Sequence, residues 1–515
     1  MPVRVVDAKE SAERDRAAVS RGISSRQLMQ RAGEAAAGEI MRRFSDRLRD
    51  GALVHTGPGN NGGDGWVVAG ALSAAGVDVQ VVEVAESKTP DAIAERASAI
   101  GSVRVVSESK DAGVVIDALL GTGSEGAPRG AIADAIEMIA ATRGRGALVV
   151  ALDLPSGLDA TTGTHSHCVV ADITLSFGGV KRGSLLARDC CGEIVVLDIG
   201  LDEEALLSMR DRNRDTAPLP VLVDSEYVES RVPTFRYDAH KGERKHLAIV
   251  GGGKGMPGAV VLAGRAALRS GVGLLHAFVA RENLSSVLTA VPSALISAWP
   301  SDARDISSGI SKWADAIVLG PGLGRSDETR EIVERILRDS RLPVLLDADA
   351  LNVFEGDVAA LARLLSGRPA LLTPHAGELA RLAGTDIPTV LASRFDVGTE
   401  ISRQLSATVL LKGAPTVIFS PLGERFVSAR GTAALGTGGA GDLLAGIAGT
   451  LLAQTGDPVA SACSAAWIHG RAAELCGYAR GTTLEDVLYA LPRAWNEREK
   501  PLMPPVLAEL PAVAA

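Results

Sequence analysis

The chain has 515 residues, too many for one ordinary domain and enough for two large α/β units. Lys and Arg number 53 against 62 Asp and Glu, and the net charge of −9 leaves no basic footprint for nucleic acid or an anionic membrane. Hydrophobic residues at 46% and charged ones at 22% exclude wholesale disorder, and with 3% aromatic the core must be built of Ala, Val, Leu and Ile.

Cysteine stands at 168, 190, 191, 463 and 476, with no C-x-x-C spacing. That pattern predicts neither a disulfide framework nor a structural zinc site and fits a reducing compartment. Residues 1–10 hold no signal-peptide h-region, and no stretch reaches the ~18 apolar residues of a membrane span, so a cytoplasmic protein is expected.

In chain order, Ser24 to Phe44 has helical spacing of its apolar residues. Short β-branched runs then alternate with Ala-rich helical stretches: Ala52–Thr56, Val77–Val84, Val114–Leu119, Ala147–Leu152, Ile173–Phe177 and Ile194–Ile199. Continuous apolar runs separated by helices predict a parallel sheet covered on both faces. The pattern breaks near residue 213, in a Pro- and charge-rich stretch. It resumes at His246–Val250, Leu274–Val279, Ala316–Leu319, Pro343–Leu346, Ala370–Thr373, Thr408–Leu411 and Thr416–Phe419. Helices dominate after Asp442, and the Pro-rich tail from Lys500 is expected to fray. The expectation is two different α/β domains, 1–214 and 241–510, joined by a linker over 215–240. The first would be Rossmann-like with three layers and a parallel sheet.

Glycine clusters follow several strands, where backbone N–H groups and a helix dipole can hold an anion. GPGNNGGDG (57–65) matches G-x-G-x-x-G, and Glu83 ends the next strand where a ribose-binding acid would sit. The same pattern recurs at Gly121 and Gly436, so a tight turn needing φ > 0 explains each cluster about as well. Asn60, Asn61 and Asp64, with Asp117, Asp153 and Ser156, put oxygen groups at three strand ends. Together they could hold a hard cation or move protons, although each alone could be a helix cap. In the second half, GTGGAGD (436–442) runs into a helical pattern. There Asp442 stands as a base beside a phosphoryl-binding helix terminus, with a simple cap as the alternative. His165 and His167 form an H-x-H pair in a polar turn-like stretch, which favours a solvated loop over a metal site. Lys181 reads as an ordinary loop charge, and His375 as a turn residue among the phosphate signals.

These motifs resemble a known family. NNGGDG (60–65), DALLGTG (117–123), DLPSGLD (153–159) and SFGGVKRG (176–183) look like the NAD(P)H-hydrate epimerase domain. GGGKGMPGA (251–259), GPGLGR (320–325), TPH (373–375) and GTGGAGD (436–442) look like the ADP-dependent NAD(P)H-hydrate dehydratase, a ribokinase-like α/β fold. Their order matches the bifunctional NAD(P)H-hydrate repair enzymes of prokaryotes.

The resemblance implies that the first domain interconverts the R and S hydrates of NADH and NADPH. The second would dehydrate the S form, consuming ADP and yielding AMP and phosphate. It implies that Asn60, Asn61, Gly62, Gly63, Asp64, Gly121, Thr122, Gly123, Ser124, Glu125, Gly126, Ala127 and Asp153 bind the epimerase substrate. Asp153 would be catalytic there, and Asn61, Asp117 and Ser156 would hold K+. In the dehydratase, Ala259, Gly324, His375 and Asp442 would bind substrate, with Asp442 the catalytic base. Lys412, Gly413, Ala414, Pro415, Thr416, Thr432, Gly436, Thr437, Gly438, Gly439, Ala440 and Gly441 would bind the nucleotide, with Mg2+ as cofactor. Gly253 departs from the family pattern, standing where a hydroxyl often does. A homo-oligomer is the expected assembly, with no nucleic-acid or membrane partner. The rival reading is a small-molecule kinase, for a vitamin precursor, fused to a dinucleotide-binding module.

Overall fold

The computed structural model describes residues 2–107, 111–201, 218–299 and 309–513. It divides into two compact units, residues 1–221 with 500–513, and residues 222–499.

In the first unit the strands are β1 (Val5–Val6), β2 (Ala52–Thr56), β3 (Val79–Glu83), β4 (Arg104–Val105), β5 (Val114–Ala118), β6 (Leu148–Leu152), β7 (Ile173–Phe177), β8 (Val180–Lys181) and β9 (Glu193–Leu197). β1 and β8 form a small parallel ribbon; the others run parallel in the order β9-β7-β6-β5-β2-β3-β4. Both faces are covered, so the strands read as continuous apolar runs. Val54, Val81 and Ile116 pack with Ile40, Trp66 and Leu72, whereas Leu53, Val115 and Val149 pack with Ile136 and Ile139.

In the second unit the chain enters through β10 (Val221–Leu222) and continues with β11 (His246–Val250), β12 (Leu274–Val279), β13 (Leu295–Ala298), β14 (Ala316–Leu319), β15 (Val344–Leu346), β16 (Ala370–Leu372), β17 (Thr408–Leu411), β18 (Thr416–Phe419) and β19 (Arg425–Ser428). The order β13-β12-β11-β14-β15-β16-β17 is parallel, and β17-β18-β19 is an antiparallel meander with β10 beyond it. The helices Pro257–Arg269, Ala440–Thr455 and Pro458–Glu474 supply much of the core around Leu247, Val318 and Leu345.

The mixed α/β class is as expected, and two local readings are corrected. The supposed linker carries the helix Ser225–Arg231, whose Val228 is buried in the second core; the boundary at 214 lies outside the described residues. The tail does not fray: β20 (Val506–Leu510) pairs antiparallel with β9, so the second domain ends near 499 rather than 510. Val506, Ala508 and Leu510 alternate into the sheet and are buried, which holds the strand. The N-terminus holds a helix, Ala8–Ser20, started by a capping box between Asp7 and Glu10. Among the described residues no helix is long and apolar enough to cross a membrane.

Each sheet has a point where strand order reverses, between β2 and β5 in the first unit and between β11 and β14 in the second. Loops leaving the carboxyl ends diverge there, which is where open α/β sheets bind ligands.

Candidate functional site

In the first unit the expected residues leave β2, β5 and β6 at this crevice. Asn60 and Asn61 open the helix Asn60–Ala74, which starts so close to β5 that side chains are excluded. A Cβ on Gly57 would lie 1.8 Å from Leu119 O, and one on Gly62 would lie 2.0 Å from Gly57 O. Glycine here is a packing requirement rather than a phosphate signature. Glu83 is also engaged elsewhere, in a bidentate pair with Arg96 at 2.6 and 2.8 Å, so it is no free ribose acceptor.

Asp153 follows β6 with φ +66°. Its Oδ1 accepts from Phe177 N at 3.1 Å and from Lys181 Nζ. Lys181 is 1% exposed, and its ammonium also donates to Phe177 O at 3.2 Å. It is therefore no ordinary loop charge. Burial first, then the charges of Asp153 and Asp15, holds the Asp64 carboxyl well above the usual carboxylate range. Asp15 is raised as well, by burial first. The carboxylates of Asp15, Asp64 and Asp153 thus share the field of one buried ammonium, and Asp15 and Asp64 are shifted toward their protonated forms. Ser124, Gly126 and Ala127 line a cleft of about 290 Å³ with Gly157 to Asp159.

Asp117 is fully buried at the end of β5. Burial raises its carboxyl to about 6 against the pull of Ser156, whose Oγ donates at 2.6 Å and whose N donates at 2.8 Å. Asn61 Nδ2 donates to Leu120 O at 2.8 Å, while its buried Oδ1 has no partner among the described residues. Leu120 N donates to Ser156 Oγ at 2.9 Å, so Asn61, Asp117 and Ser156 meet around one loop.

In the second unit the loops after β11 and β14 are zipped together. Gly252 N donates to Pro321 O at 2.8 Å and Gly253 N to Gly322 O at 2.6 Å. A Cβ on Gly253 would sit 2.5 Å from Leu323 O, so this chain's departure at Gly253 follows from backbone contact. Gly324 N donates to Asp349 Oδ2 at 2.8 Å.

Beyond them, Asp347 follows β15, His375 follows β16 and Lys412 follows β17. Lys412 Nζ lies 2.7 Å from Asp347 and 3.7 Å from Glu378. Burial opposes its charge, but the two carboxylates carry it above its ordinary value. A Cβ on Gly441 would lie 3.2 Å from Lys412 Nζ, so the helix Ala440–Thr455 begins against this pair. Asp442, in its first turn, is raised to about 7 by burial, then by Asp347, with Lys412 opposing. His375 caps the helix Ala376–Ala383: its Nδ1 accepts from Gly377 N at 3.0 Å and Glu378 N at 3.3 Å. Burial first holds its ring below the usual imidazole value.

Within 436–441, only Gly439 has a left-handed φ, +99°. A Cβ on Gly436 or Gly438 would meet nothing, so neither contact nor a left-handed φ demands glycine there. The open backbone is what an approaching phosphate needs. Thr432 Oγ1 accepts from Ala434 N at 3.3 Å, starting the turn that leads into this loop. Gly413, with φ +154°, packs on the Arg394 guanidinium, which also donates to Pro415 O at 3.1 Å and so braces 412–416. Ala259 lies one turn before Leu262, whose side chain meets Gly439.

Lys412, Gly441, Asp442 and His375 are thus brought together, and sequence reasoning gave no role to Asp347, Asp349 and Glu378 beside them. Each follows a strand end, which was the available signal. In the first unit it missed Asp15 and undervalued Lys181; only the D-x-x-E cap at 7–10 pointed to the helix that carries Asp15.

The family model for NAD(P)H-hydrate dehydratase matches residues 247–492, and that for the YjeF-related protein N-terminus matches 25–183. The bifunctional NAD(P)H-hydrate repair enzyme Nnr of Escherichia coli (strain K12) is 34% identical over 495 residues, covering 92% of this chain and 90% of that protein. Its namesake in Moorella thermoacetica (strain ATCC 39073 / JCM 9320) is 33% identical over 508 residues, 93% of each. A crystal structure of the ADP/ATP-dependent NAD(P)H-hydrate dehydratase from Bacillus subtilis, co-crystallized with ATP/Mg2+, is 29% identical with a TM-score of 0.49, covering 55% of this chain and 98% of that one. With both domain models in order and such relatives aligned over most of their length, the chain belongs to the bifunctional NAD(P)H-hydrate repair enzymes, which join an epimerase domain to a dehydratase domain.

Proposed function

We propose that the first unit interconverts the R and S hydrates of NADH and NADPH at ring carbon C6. The second unit dehydrates the S hydrate with ADP as phosphoryl donor, leaving AMP and phosphate. One observation carries this reading: a carboxyl raised to about 7, Asp442, stands at the head of a glycine-lined helix beside the Lys412–Asp347 pair. A base poised near neutrality beside an anion-binding terminus suits deprotonation of an alcohol as it takes a phosphoryl group. Asp442 removes the proton of the C6 hydroxyl, whose oxygen attacks the terminal phosphorus of the nucleotide. The helix-start amides and Lys412 take up the developing charge. Phosphate then leaves C6 and a proton leaves C5, restoring the ring double bond. In the first unit Asp153 carries the proton, with Lys181 holding its charge.

Two cations fit the residues present. Asn61 Oδ1, which has no partner among the described residues, and the buried Asp117 carboxylate, with Ser156, are hard oxygen donors that would hold K+. A bound K+ would offset the charge of Asp117 and order the loops around it. The carboxylates of Asp347 and Glu378 beside Lys412, with Asp349 close enough to act on Asp442, would serve Mg2+, most of whose ligands come from nucleotide phosphates. Incubating the protein with each hydrate epimer and either ADP or ATP tests the proposal. Return of dihydronicotinamide absorbance is expected, and phosphorylated product without that return would favour a small-molecule kinase.

A further inference from the structure

Away from these residues, three soft ligands meet in the first unit. His165 Nε2, Cys168 Sγ and Cys190 Sγ all lie within 4.8 Å of one another. The two sulfurs are 3.2 Å apart, and His165 Nε2 lies 3.5 Å from Cys190 Sγ. His165 Nδ1 is 3.0 Å from Gly163 O. A carbonyl oxygen can only accept, so Nδ1 carries the proton and Nε2 turns its lone pair toward the sulfurs. A metal-bound histidine adopts this arrangement, its second nitrogen donating to a carbonyl. The adjacent Cys190 and Cys191 are also divided. Cys191 Sγ donates to Ala187 O at 3.4 Å inside the core, while Cys190 turns to the cluster. The backbone is tied across the site, because Ala171 N donates to Cys190 O at 2.9 Å.

We propose that His165, Cys168 and Cys190 form a binding site for a thiophilic divalent cation of the zinc class, with three protein ligands and one open position. Two thiolates and an imidazole are the donors zinc prefers, and sulfurs each about 2.3 Å from one ion can span the observed separation. The exposed imidazole gives the ion a way in. His165 lines the same cleft as Ser124, Gly126 and Ala127, so an ion there would brace part of the wall that the expected substrate loop shares. The site stands whether or not the first unit is an epimerase.

The test is cobalt titration of the full chain, reduced and freed of metal by chelation. One equivalent of Co2+ should give a thiolate-to-cobalt charge-transfer band and the visible bands of a tetrahedral site, both removed by Zn2+. Cys168→Ser and Cys190→Ser should each cut the charge-transfer band by about half or more, and the double variant should abolish it. His165→Ala, at an exposed position that leaves the fold intact, should weaken binding at least about tenfold. Cys476→Ser should change nothing. Absence of the band, or its survival at full strength in both single variants or at any strength in the double variant, would overturn the proposal. So would a Cys168–Cys190 disulfide in the protein as isolated, with no cobalt taken up after reduction.

Discussion

Lys181 and Asp153 form an ion pair in which the ammonium is almost wholly shielded and the carboxylate sits on a left-handed backbone. A non-glycine residue at φ +66° costs on the order of 1 kcal/mol and persists only when its surroundings hold it there. Phe177 N, Lys181 Nζ and the Asp153 N to Leu175 O bond at 2.8 Å do so. Asp153→Asn keeps this shape and removes the proton acceptor. R-hydrate turnover is expected to fall about 10²- to 10⁴-fold while S-hydrate turnover is unchanged. Equal losses on both epimers would take Asp153 out of the first reaction.

With the Asp442 carboxyl raised to about 7, the proposed role as base predicts a pH dependence for dehydration. Only its ionised form accepts a proton, so kcat/KM should fall below pH 7 and level off above it. Glu378→Gln removes one of the negative charges that raise Asp442, and should move this limb to lower pH. A limb that stays in place in this variant argues against Asp442 as the titrating base.

The same burial makes Asp442 costly to ionise. Its pKa rises from 3.8 to about 7 on folding, so its contribution to stability declines as pH rises between those values and is least above them. Asp442→Asn should therefore lose dehydration yet stabilise the protein at pH 8 by about 1–3 kcal/mol, with little effect near pH 4. Urea unfolding at the two pH values measures the difference; equal effects at both would contradict the linkage.

Potassium should stabilise the first unit independently of turnover. Asp117 is buried and Asn61 Oδ1 has no partner among the described residues, so a bound ion would offset the charge of the one and be coordinated by the other. The expected result is a melting temperature higher in KCl than in LiCl at equal ionic strength. Asp117→Asn should erase that difference, and a salt response unaltered by the substitution would remove these ligands from consideration.

Deleting residues 500–515 strips β20 from β9. Burying a valine or leucine contributes about 1.5–3 kcal/mol, so loss of Val506 and Leu510 should destabilise the first unit by a few kcal/mol. Differential scanning calorimetry should show its transition moving down. Dehydration of the S hydrate should persist, since the residues assigned to it lie within 222–499.

The runs His246–Val250, Leu274–Val279 and Ala316–Leu319 announced their strands because a sheet covered on both faces needs unbroken apolar stretches. The glycine-to-Asp442 run was legible as a helix start, because the helical pattern from Leu443 follows it directly. What the sequence could not show was partnership across distance. The placement of Asp15 near Asp153, the burial of Lys181 and the strand Val506–Leu510 depend on segments far away in the chain. Glycine at 57 and 62 was legible as a motif, yet its reason, backbone packed against backbone, appears only when β2 and β5 lie side by side. Local pattern determined which residues could carry the chemistry. Tertiary packing decided which of them share one desolvated space, because charge, burial and metal geometry are properties of neighbours in space rather than in sequence.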